Sequence, residues 1–235
     1  MASAEKIKVL RLVAVHYQHP DLKSASAFLR DFGLAEVLCQ DKRIYFGGYG
    51  CDPYLYIAEQ SPDARRAFLG GTWAVNSLDD LSKAAAIPGA SAILDAEGPG
   101  GGKKVTVPDP NGFPITFIHG QELNDPQDDL VTRALDKVAP VANQAMEKPR
   151  LGRFLRFSKG PSPVHKLGHY GYIVPKDQFK KTFEWYTSLI NFVPSDSVFN
   201  PETGDDSTHF MHIDLGETFT DHHASTSFPR TVLTN

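Results

Sequence analysis

One order of predicted elements, a strand followed by a helix and then by further strands, occurs three times along the 235 residues. The first copy is predicted at 8–17 (strand), 21–32 (helix), 35–40, 43–46 and 54–58 (strands). In its helix, Leu22, Phe28 and Leu29 recur at helical spacing, and Gly33 is a typical C-terminal cap. A recurring unit of this size predicts one structural module per copy, and two such modules can pair their curved sheets around a cleft.

The second and third copies are less regular. Elements of the second copy are predicted at 72–76 (strand), 77–86 (helix), 103–107 and 115–119 (strands), with Ser77 as N-cap and an Asn111-Gly112 turn before the last strand. Those of the third are predicted at 164–174 (strand), 178–191 (helix), 192–198, 209–214 and 219–226 (strands). The third helix carries Phe179, Phe183 and Tyr186 on one face. The three copies predict an α+β fold.

Composition narrows the class of protein. Hydrophobic residues make up 41% of the chain, the net charge is -4, and the basic residues form no dominant block, so a nucleic-acid partner is not expected. Two cysteines, Cys39 and Cys51, are too few for a disulfide framework or a zinc cluster. Residues 1–8 lack the apolar stretch of a secretory signal, and no run approaches the roughly 20 apolar residues of a membrane span. We therefore expect a cytoplasmic protein without a membrane partner.

Histidines near the C-terminus are the candidate functional residues. His169 opens the predicted strand of the third copy, from which its ring can point into a cleft and hold a metal, although a core histidine bonded to backbone is the alternative. His222 and His223 fall on the last predicted strand, where neighbours face opposite ways, so only one can face the cleft, and exposure of both is the alternative. Phe210 and His212 should share one face, as pocket residues or as ordinary sheet packing. Four other histidines are interpreted as surface, loop or solvent-facing residues: His16, His19, His165 and His209.

Three segments carry a resemblance to a known superfamily: 109–113 (Asp-Pro-Asn-Gly-Phe), 164–169 (Val-His-Lys-Leu-Gly-His) and 183–186 (Phe-Glu-Trp-Tyr). With the repeats, they resemble the vicinal oxygen chelate superfamily, which includes glyoxalase I, bleomycin-resistance proteins and extradiol ring-cleavage dioxygenases. The likeness is closest to the two-domain catechol 2,3-dioxygenase-like enzymes. It implies paired βαβββ modules, a metal-free N-terminal pair, and a C-terminal domain in which two histidines and one glutamate hold Fe(II).

Site roles follow from the resemblance residue by residue. His169 matches the first iron histidine, and His222 matches the acid-base histidine, with His223 as its register-shifted alternative. Tyr172, Phe210 and His212 are assigned to the substrate pocket. The resemblance implies Fe(II) as cofactor, with Mn(II) possible, and the third copy alone gives an incomplete ligand set.

The resemblance also predicts the domain organisation. Residues 1–120 should be the metal-free N-terminal pair, 121–163 a linker with a helix at 130–138, and 164–235 the first half of a metal-binding domain, truncated because the family's second histidine and glutamate lie on a fourth unit. A single unit exposes an apolar sheet face and an unpaired edge, so it should pair with a symmetry mate in a homo-oligomer.

Three functions remain open from the sequence. The first is an extradiol ring-cleavage dioxygenase acting on a catechol-type aromatic diol with Fe(II) and O2, whose activity would need ligands from outside the third copy. The second is a non-enzymatic binding module that uses an N-terminal cleft lined by Tyr45, Tyr54, Tyr56 and Phe117. The third is a glyoxalase-like lyase with a different divalent metal.

Overall fold

The structure, a computed structural model, describes residues 5–125, 159–218 and 220–230. Within these ranges the chain forms twelve strands and three α-helices. In chain order they are β1 (Val9–His19), α1 (Leu22–Phe32), β2 (Ala35–Gln40), β3 (Arg43–Gly47), β4 (Tyr56–Gln60), β5 (Ala67–Val75), α2 (Leu78–Ala85), β6 (Leu94–Asp95), β7 (Lys103–Pro108), β8 (Pro114–His119), β9 (Tyr170–Pro175), α3 (Phe179–Leu189), β10 (Phe192–Phe199), β11 (Asp206–Ile213) and β12 (Ser225–Arg230). The predicted linker helix at 130–138 lies outside the described residues.

Three modules of identical topology are built from these elements: module I (β1, α1 and β2–β4), module II (β5, α2 and β6–β8) and module III (β9, α3 and β10–β12). Strand order is β2-β3-β4-β1 in module I, β6-β7-β8-β5 in module II and β10-β11-β12-β9 in module III. In each module the first strand lies parallel to the last. β1 and β5 pair antiparallel and join modules I and II into one eight-stranded sheet. The expected α+β fold, with one module pair and one further module, is confirmed.

Local sequence explains where the helices begin and end. The Asp21 side chain accepts a hydrogen bond from the backbone N–H of Ser24 at 3.0 Å, and Gly33, at φ 123°, ends α1. Ser77 Oγ accepts from the N–H of Asp80 at 3.2 Å and caps α2, as the sequence predicts. Without these caps the first backbone N–H groups of each helix would lack partners.

Module III packs against the module pair through one continuous core. Trp73 of β5 meets Phe192 of β10 edge-on, with ring centroids 5.0 Å apart, and Tyr170 of β9 at 5.8 Å. Tyr186 and Ile190 of module III belong to the same buried cluster. Because aromatic side chains bury large areas, this cluster fixes the helix-covered side of module III against the first two modules.

The connection into module III runs close to the glycines of module I. The backbone N–H of Tyr49 donates to the carbonyl oxygen of Val164 at 2.9 Å. A Cβ atom on Gly48 would lie 2.2 Å from that oxygen, and one on Gly50 would lie 1.9 Å from the carbonyl oxygen of His165. These glycines therefore leave space for a second backbone to approach.

Strand boundaries in module III differ from the sequence prediction. The strand predicted from residue 164 begins only at Tyr170, because the preceding backbone follows module I instead of a sheet neighbour. The last strand is Ser225–Arg230, so the sequence 221–223 lies in the loop before it. In module II, the short strand β6 was not predicted from the sequence.

The strand β12 contains a proline and several small polar residues, although it lies between β11 and β9 in the sheet. β12 pairs with β9 along Ser225–Arg230 but with β11 only along Ser225–Ser227. Pro229 therefore lies where one side of the strand has no ladder partner among the described residues, a position that tolerates a missing N–H.

Candidate functional site

The sheet of module III has one covered face and one open face. His209, Met211 and Ile213 of β11 are buried toward α3 and the module pair. Phe210 and His212 alternate with them and therefore share the opposite, open face. The expectation that these two residues face the same side agrees with this alternation.

His169 and His223 lie side by side at one end of the open face. Their ring centroids are 4.4 Å apart, with the planes inclined by 60°. His169 directly precedes β9 and His223 precedes β12, and the two strands run parallel with Tyr170 opposite Ser225. Parallel neighbours begin at the same edge of a sheet, and this brings the two imidazoles together.

The loop that carries His223 is tied down on both sides. Lys166 Nζ and the Asp221 carboxylate form an ion pair, which links the approach to β9 with the approach to β12. Ser195 Oγ of β10 donates a hydrogen bond to the carbonyl oxygen of His222. The loop that carries His223 is therefore held in place beside His169 by contacts on both sides.

His222 and His223 occupy different environments. The His222 side chain is 69% exposed, and its Nε2 lies 3.4 Å from Asp196 Oδ2. Its ring is nearly perpendicular to that of His223, at 86° and 5.7 Å. The sequence placed both on a strand with His222 as the first choice, whereas the structure places both in a loop and puts the alternative, His223, beside His169.

Phe210 and His212 approach the histidine pair from β11. The Phe210 ring stands edge-on to His223 at 5.3 Å, and Phe228 of β12 stands edge-on to Phe210 at 6.5 Å. His212 Nδ1 lies 2.8 Å from Ser195 Oγ. Histidines and aromatic rings thus share one surface, a combination that can hold a flat aromatic molecule beside a polar group.

Burial lowers the pKa of His223, and the neighbouring His169 and His222 lower it further, while Asp196 and Asp221 act in the opposite direction. The lowered pKa favours the neutral form of His223. A neutral imidazole can accept a proton or bind a metal ion through its free nitrogen.

Tyr172 does not join this group. It is on the covered face, where its hydroxyl donates to the Asp109 carboxylate and its ring meets Phe113 edge-on at 5.0 Å. The assignment of Tyr172 to the pocket of His169 and His223 is wrong, because strand alternation turns it toward the module pair.

Three histidines expected at the surface are buried or partly buried. His209 stacks on Phe179 with ring centroids 4.8 Å apart, and burial lowers its pKa. His19 is buried with a ring nitrogen 2.8 Å from the Tyr56 hydroxyl. His16 lines the inner face of the module pair and is described below. Sequence spacing gave no signal for these environments, because the partners come from distant strands.

The four aromatic residues proposed for an N-terminal binding cleft do not form one. Tyr45 and Tyr54 are buried against each other at 5.1 Å, with the backbone of Gly98 over them. Tyr56 packs toward α1, and Phe117 belongs to the core shared with module III. Tyr45, Tyr54 and Phe117 are buried in the core and Tyr56 is partly buried on the α1 side, so the four rings line no common cleft of the kind that the binding-module hypothesis needs.

A polar cluster inside the module pair was not predicted from the sequence. His16 Nε2 on β1 lies 3.2 Å from Glu59 Oε2 on β4, and Arg43 of β3 bonds the same carboxylate oxygen at 2.7 Å. Gln18 Nε2 donates to the other Glu59 oxygen at 2.8 Å. Parallel pairing of β1 with β4 places His16 opposite Ile57 and Gln18 opposite Glu59, so only the strand register brings the group together.

Acid should weaken the fold through His16. Burial lowers the pKa of His16 from 6.5 to about 4; Glu59 opposes this effect, and Arg43 and Lys104 add to it. Its side chain is 18% exposed. The unfolded chain takes up a proton at His16 near pH 6.5 and the folded chain only near pH 4, so stability present above pH 6.5 is lost as the pH falls between them. We expect that His16→Gln will reduce this acid-induced loss of unfolding free energy by up to about 3 kcal/mol.

Urea unfolding at pH 8 and at pH 4.5 measures this effect as the change in unfolding free energy of each protein with pH. A wild type and a His16→Gln variant with the same pH dependence would contradict the prediction.

A metal ion fits this structure only in part. Among residues 5–125, 159–218 and 220–230, no three His, Cys, Asp or Glu side chains form a group able to hold a metal ion. His169 and His223 present two imidazoles, fewer than the three protein ligands of the iron site that the resemblance implies. The remaining ligands do not come from the described residues of one chain.

Comparison with solved structures identifies the architecture. A Mn(II)-bound glyoxalase from Novosphingobium aromaticivorans superposes with a TM-score of 0.69 at 16% identity, over 95% of this chain and 63% of that one. A substrate complex of homoprotocatechuate 2,3-dioxygenase from Brevibacterium fuscum gives 0.69 at 15% identity, over 97% and 62%. This chain has the vicinal oxygen chelate fold. The 2,3-dioxygenase LapB from Pseudomonas sp. KL28 shares this fold with it, at a TM-score of 0.67 and 17% identity, over 97% and 72%.

The chain spans less than two thirds of the length of the first two of these structures. No family model matches the sequence, and no curated protein matches it. At these identities the likeness establishes the vicinal oxygen chelate fold alone. Evidence on the chemistry comes from the residues of the candidate site. No helix in the described ranges is long and apolar enough to cross a membrane.

Proposed function

We propose that this vicinal oxygen chelate protein is of the extradiol dioxygenase type and that the open face of module III binds divalent iron and a catechol-type aromatic diol. The observation that carries the proposal is the contact between His169 and His223, 4.4 Å apart between ring centroids, with Phe210 edge-on to His223. Two of the similar structures are 2,3-dioxygenases, and one of these holds 3,4-dihydroxyphenylacetate, a catechol.

His169 would supply one nitrogen ligand to the metal. His223 would supply a second nitrogen ligand or, if it does not bind the metal, act as a proton acceptor beside it. Imidazole suits Fe(II), with Mn(II) as the alternative. A bound metal would supply a positive centre beside the diol, and the reaction would place both atoms of O2 in the ring-opened product.

His223 is the residue that fits proton transfer to and from the diol. Its lowered pKa favours the neutral imidazole, which can take the proton of a catechol hydroxyl and later return it, as a general base and then an acid. Phe210 lies next to it and would contact the ring of the diol. His222, further out beside Asp196, is the alternative for the same proton transfer.

Metal titration tests the proposal directly. Anaerobic calorimetry with Fe(II) should show binding to the wild type that weakens at least about 10–100-fold in His169→Ala, because this substitution removes an imidazole at the metal. His223→Ala separates the two roles of His223: weaker Fe(II) binding assigns it as a ligand, and unchanged binding assigns it as the proton acceptor. His119→Gln is the matched control: it removes an imidazole near the end of β8, where its Nδ1 lies 3.1 Å from the carbonyl oxygen of Val75, and should bind like the wild type. Equal affinity in all four proteins would reject the site.

The glyoxalase-like alternative draws on the similarity to the Mn(II)-bound glyoxalase. Oxygen uptake on adding a catechol to the metal-loaded protein would favour the dioxygenase. Metal binding without catechol-dependent oxygen uptake would favour the glyoxalase-like activity. The two outcomes use the same protein preparation as the titration.

A further inference from the structure

A groove of about 630 Å³ lies between α1 and the strands β1 and β4 of module I. Tyr17, His19 and Tyr56 line it from the sheet, and Phe28 lines it from α1. Tyr56 lies opposite Val15, so strand alternation puts the three sheet residues on the same face. Pockets that hold small molecules commonly measure about 300–1,000 Å³, so this groove, which we call the α1 groove, has the size of a binding site.

The sheet side of the α1 groove is aromatic. The rings of Tyr17 and Tyr56 are nearly parallel, inclined by 11°, with centroids 5.7 Å apart. Phe68 of β5 lies next to Tyr17 at 5.0 Å. On the helix side, Phe28 is 66% exposed. Aromatic rings attract one another in stacked or edge-on arrangements, so a flat aromatic molecule fits between the two sides.

Two polar groups at the groove are free to bind a ligand. Arg66, directly before β5, lines the groove and forms no ion pair with the described residues, whereas its neighbour Arg65 lies 3.7 Å from Asp63. The Tyr17 hydroxyl likewise has no hydrogen-bond partner within the described ranges. A guanidinium group and a hydroxyl both donate hydrogen bonds, and a carboxylate can accept from both.

The charge of Arg66 acts on the aromatic side of the groove. Burial raises the pKa of Tyr17, and burial and then Tyr17 raise that of Tyr56; Arg66 opposes both effects. Burial, and then Arg66, lower the pKa of His19, whose ring nitrogen lies 2.8 Å from the Tyr56 hydroxyl. Both tyrosines are therefore protonated, and His19 favours its neutral form, so Arg66 supplies the positive charge of this group.

Asp21, at the start of α1, also lines the groove, but its carboxylate is engaged within the helix end. Its two oxygens accept the backbone N–H of Ser24 at 3.0 Å and the Ser24 hydroxyl at 2.6 Å. The same bonds lower the pKa of Asp21. An anionic ligand therefore has its favourable partner at the Arg66 end of the groove and not at the Asp21 end.

We propose that the α1 groove binds a small aromatic carboxylate. The ring packs between the Tyr17–Tyr56 pair and Phe28, and the carboxylate accepts hydrogen bonds from the Arg66 guanidinium and the Tyr17 hydroxyl. This site lies on module I, needs no metal, and does not rest on the function proposed for module III.

Calorimetric titration of the whole chain with 2-naphthoate, in metal-free buffer with a chelator, tests the proposal. The probe has a flat ring system and a carboxylate but no diol. 2-Naphthamide has the same rings without the charge and is the matched ligand. We expect saturable binding of 2-naphthoate at least about 10-fold tighter than that of 2-naphthamide, because a charge-assisted hydrogen bond is lost with the amide.

Two neighbouring arginines provide matched variants. Arg66→Gln should weaken binding of 2-naphthoate about 10-fold or more and leave binding of 2-naphthamide unchanged. Arg65→Gln removes an exposed arginine that does not line the groove, and should bind both ligands like the wild type. Phe28→Ala should weaken both ligands alike, since it removes an aromatic contact and no charge.

Amide chemical shifts locate the bound probe. Changes on saturation should concentrate in β1, β4 and α1, and changes concentrated in β11 would overturn the proposal. Absence of saturable binding, equal affinity for acid and amide, or equal effects of Arg65→Gln and Arg66→Gln would also overturn it. Tighter binding of 2-naphthylmethylamine than of 2-naphthoate would do the same and would indicate Asp21 as the binding group. None of these results depends on Fe(II), so failure here leaves the proposed function standing, and the reverse also holds.

Discussion

Replacing Asp109 by alanine should lower the free energy of unfolding by about 3–5 kcal/mol. The substitution removes a buried charged acceptor and leaves several hydrogen-bond donors without partners. Asp109 Oδ1 accepts the backbone N–H groups of Asn111 at 2.7 Å and Phe113 at 2.9 Å. Its other oxygen accepts the Tyr172 hydroxyl, and the Tyr186 hydroxyl lies 3.4 Å away. One carboxylate thus closes the turn before β8 and fastens module III to it.

The two tyrosines remain protonated donors around Asp109. Burial, and then the Asp109 carboxylate, raise the pKa of Tyr172; burial and the neighbouring tyrosines raise that of Tyr186. In Asp109→Ala, both hydroxyls and the two turn amides would lose this acceptor inside the protein.

Urea unfolding followed by far-UV circular dichroism measures this loss of stability. Asp109→Asn keeps one acceptor oxygen for the turn amides but turns an NH2 group toward the tyrosines, so it should cost less than alanine. Asp95→Ala, at an exposed aspartate paired with Lys103, should change stability by less than about 1 kcal/mol. An Asp109→Ala protein as stable as Asp95→Ala would show that Asp109 does not hold module III in place.

Replacing Asn191 by alanine should lower the free energy of unfolding by about 2–4 kcal/mol, since it breaks three hydrogen bonds in the interior between modules. Asn191 Oδ1 accepts the Val9 N–H at 2.7 Å, and its Nδ2 donates to the carbonyl oxygens of Val9 at 3.1 Å and Asp214 at 2.8 Å. β1 pairs with β4 only from Val15 onward, so no strand among the described residues lies on that side of the beginning of β1. The Asn191 side chain takes the place of that strand.

Backbone contacts beside Asn191 support the same conclusion. Ile7 forms a parallel bridge with Ile190, and its N–H donates to the carbonyl oxygen of Leu189 at 2.8 Å. In Asn191→Ala these backbone bonds would remain, while the N–H and carbonyl of the fully buried Val9 would lose their side-chain partner. Hydrogen exchange should therefore become faster at Val9 before it changes elsewhere in β1.

Asn200→Ala is the matched control for Asn191→Ala. The Asn200 side chain accepts the N–H of Glu202 two residues on, at 2.8 Å, in an exposed turn. Its loss should cost less than about 1 kcal/mol. Equal destabilisation by the two substitutions would mean that Asn191 acts as an ordinary polar residue and not as a substitute for a strand.

Local patterns in the sequence determined most of the fold. The caps at Ser77 and Gly33 and the strand at 35–40 follow from residue types and spacing within a few positions. The threefold recurrence of strand, helix and strands predicted three modules, because each copy repeats the same periodicities. The face shared by Phe210 and His212 follows from the alternation of a single strand.

Such patterns predicted only part of the candidate site. The sequence indicated His169 and the pair His222 and His223, but the choice between the two depended on whether they lie on a strand or in a loop. β12 begins at Ser225, so strand alternation could not make that choice. The parallel pairing of β9 with β12 brings the starts of both strands to one edge, and this places His223 beside His169.

Residue patterns along the chain predict local features: which segments form helices and strands, and how many modules there are. Which distant groups meet depends instead on how the modules fold and pack. Asp109 contacts Tyr172, His16 contacts Glu59, and Gly48 makes room for Val164, all across tens of residues. The physical reason is that capping and periodicity act within a few residues, whereas these contacts depend on strand register and module docking, which the whole core sets together.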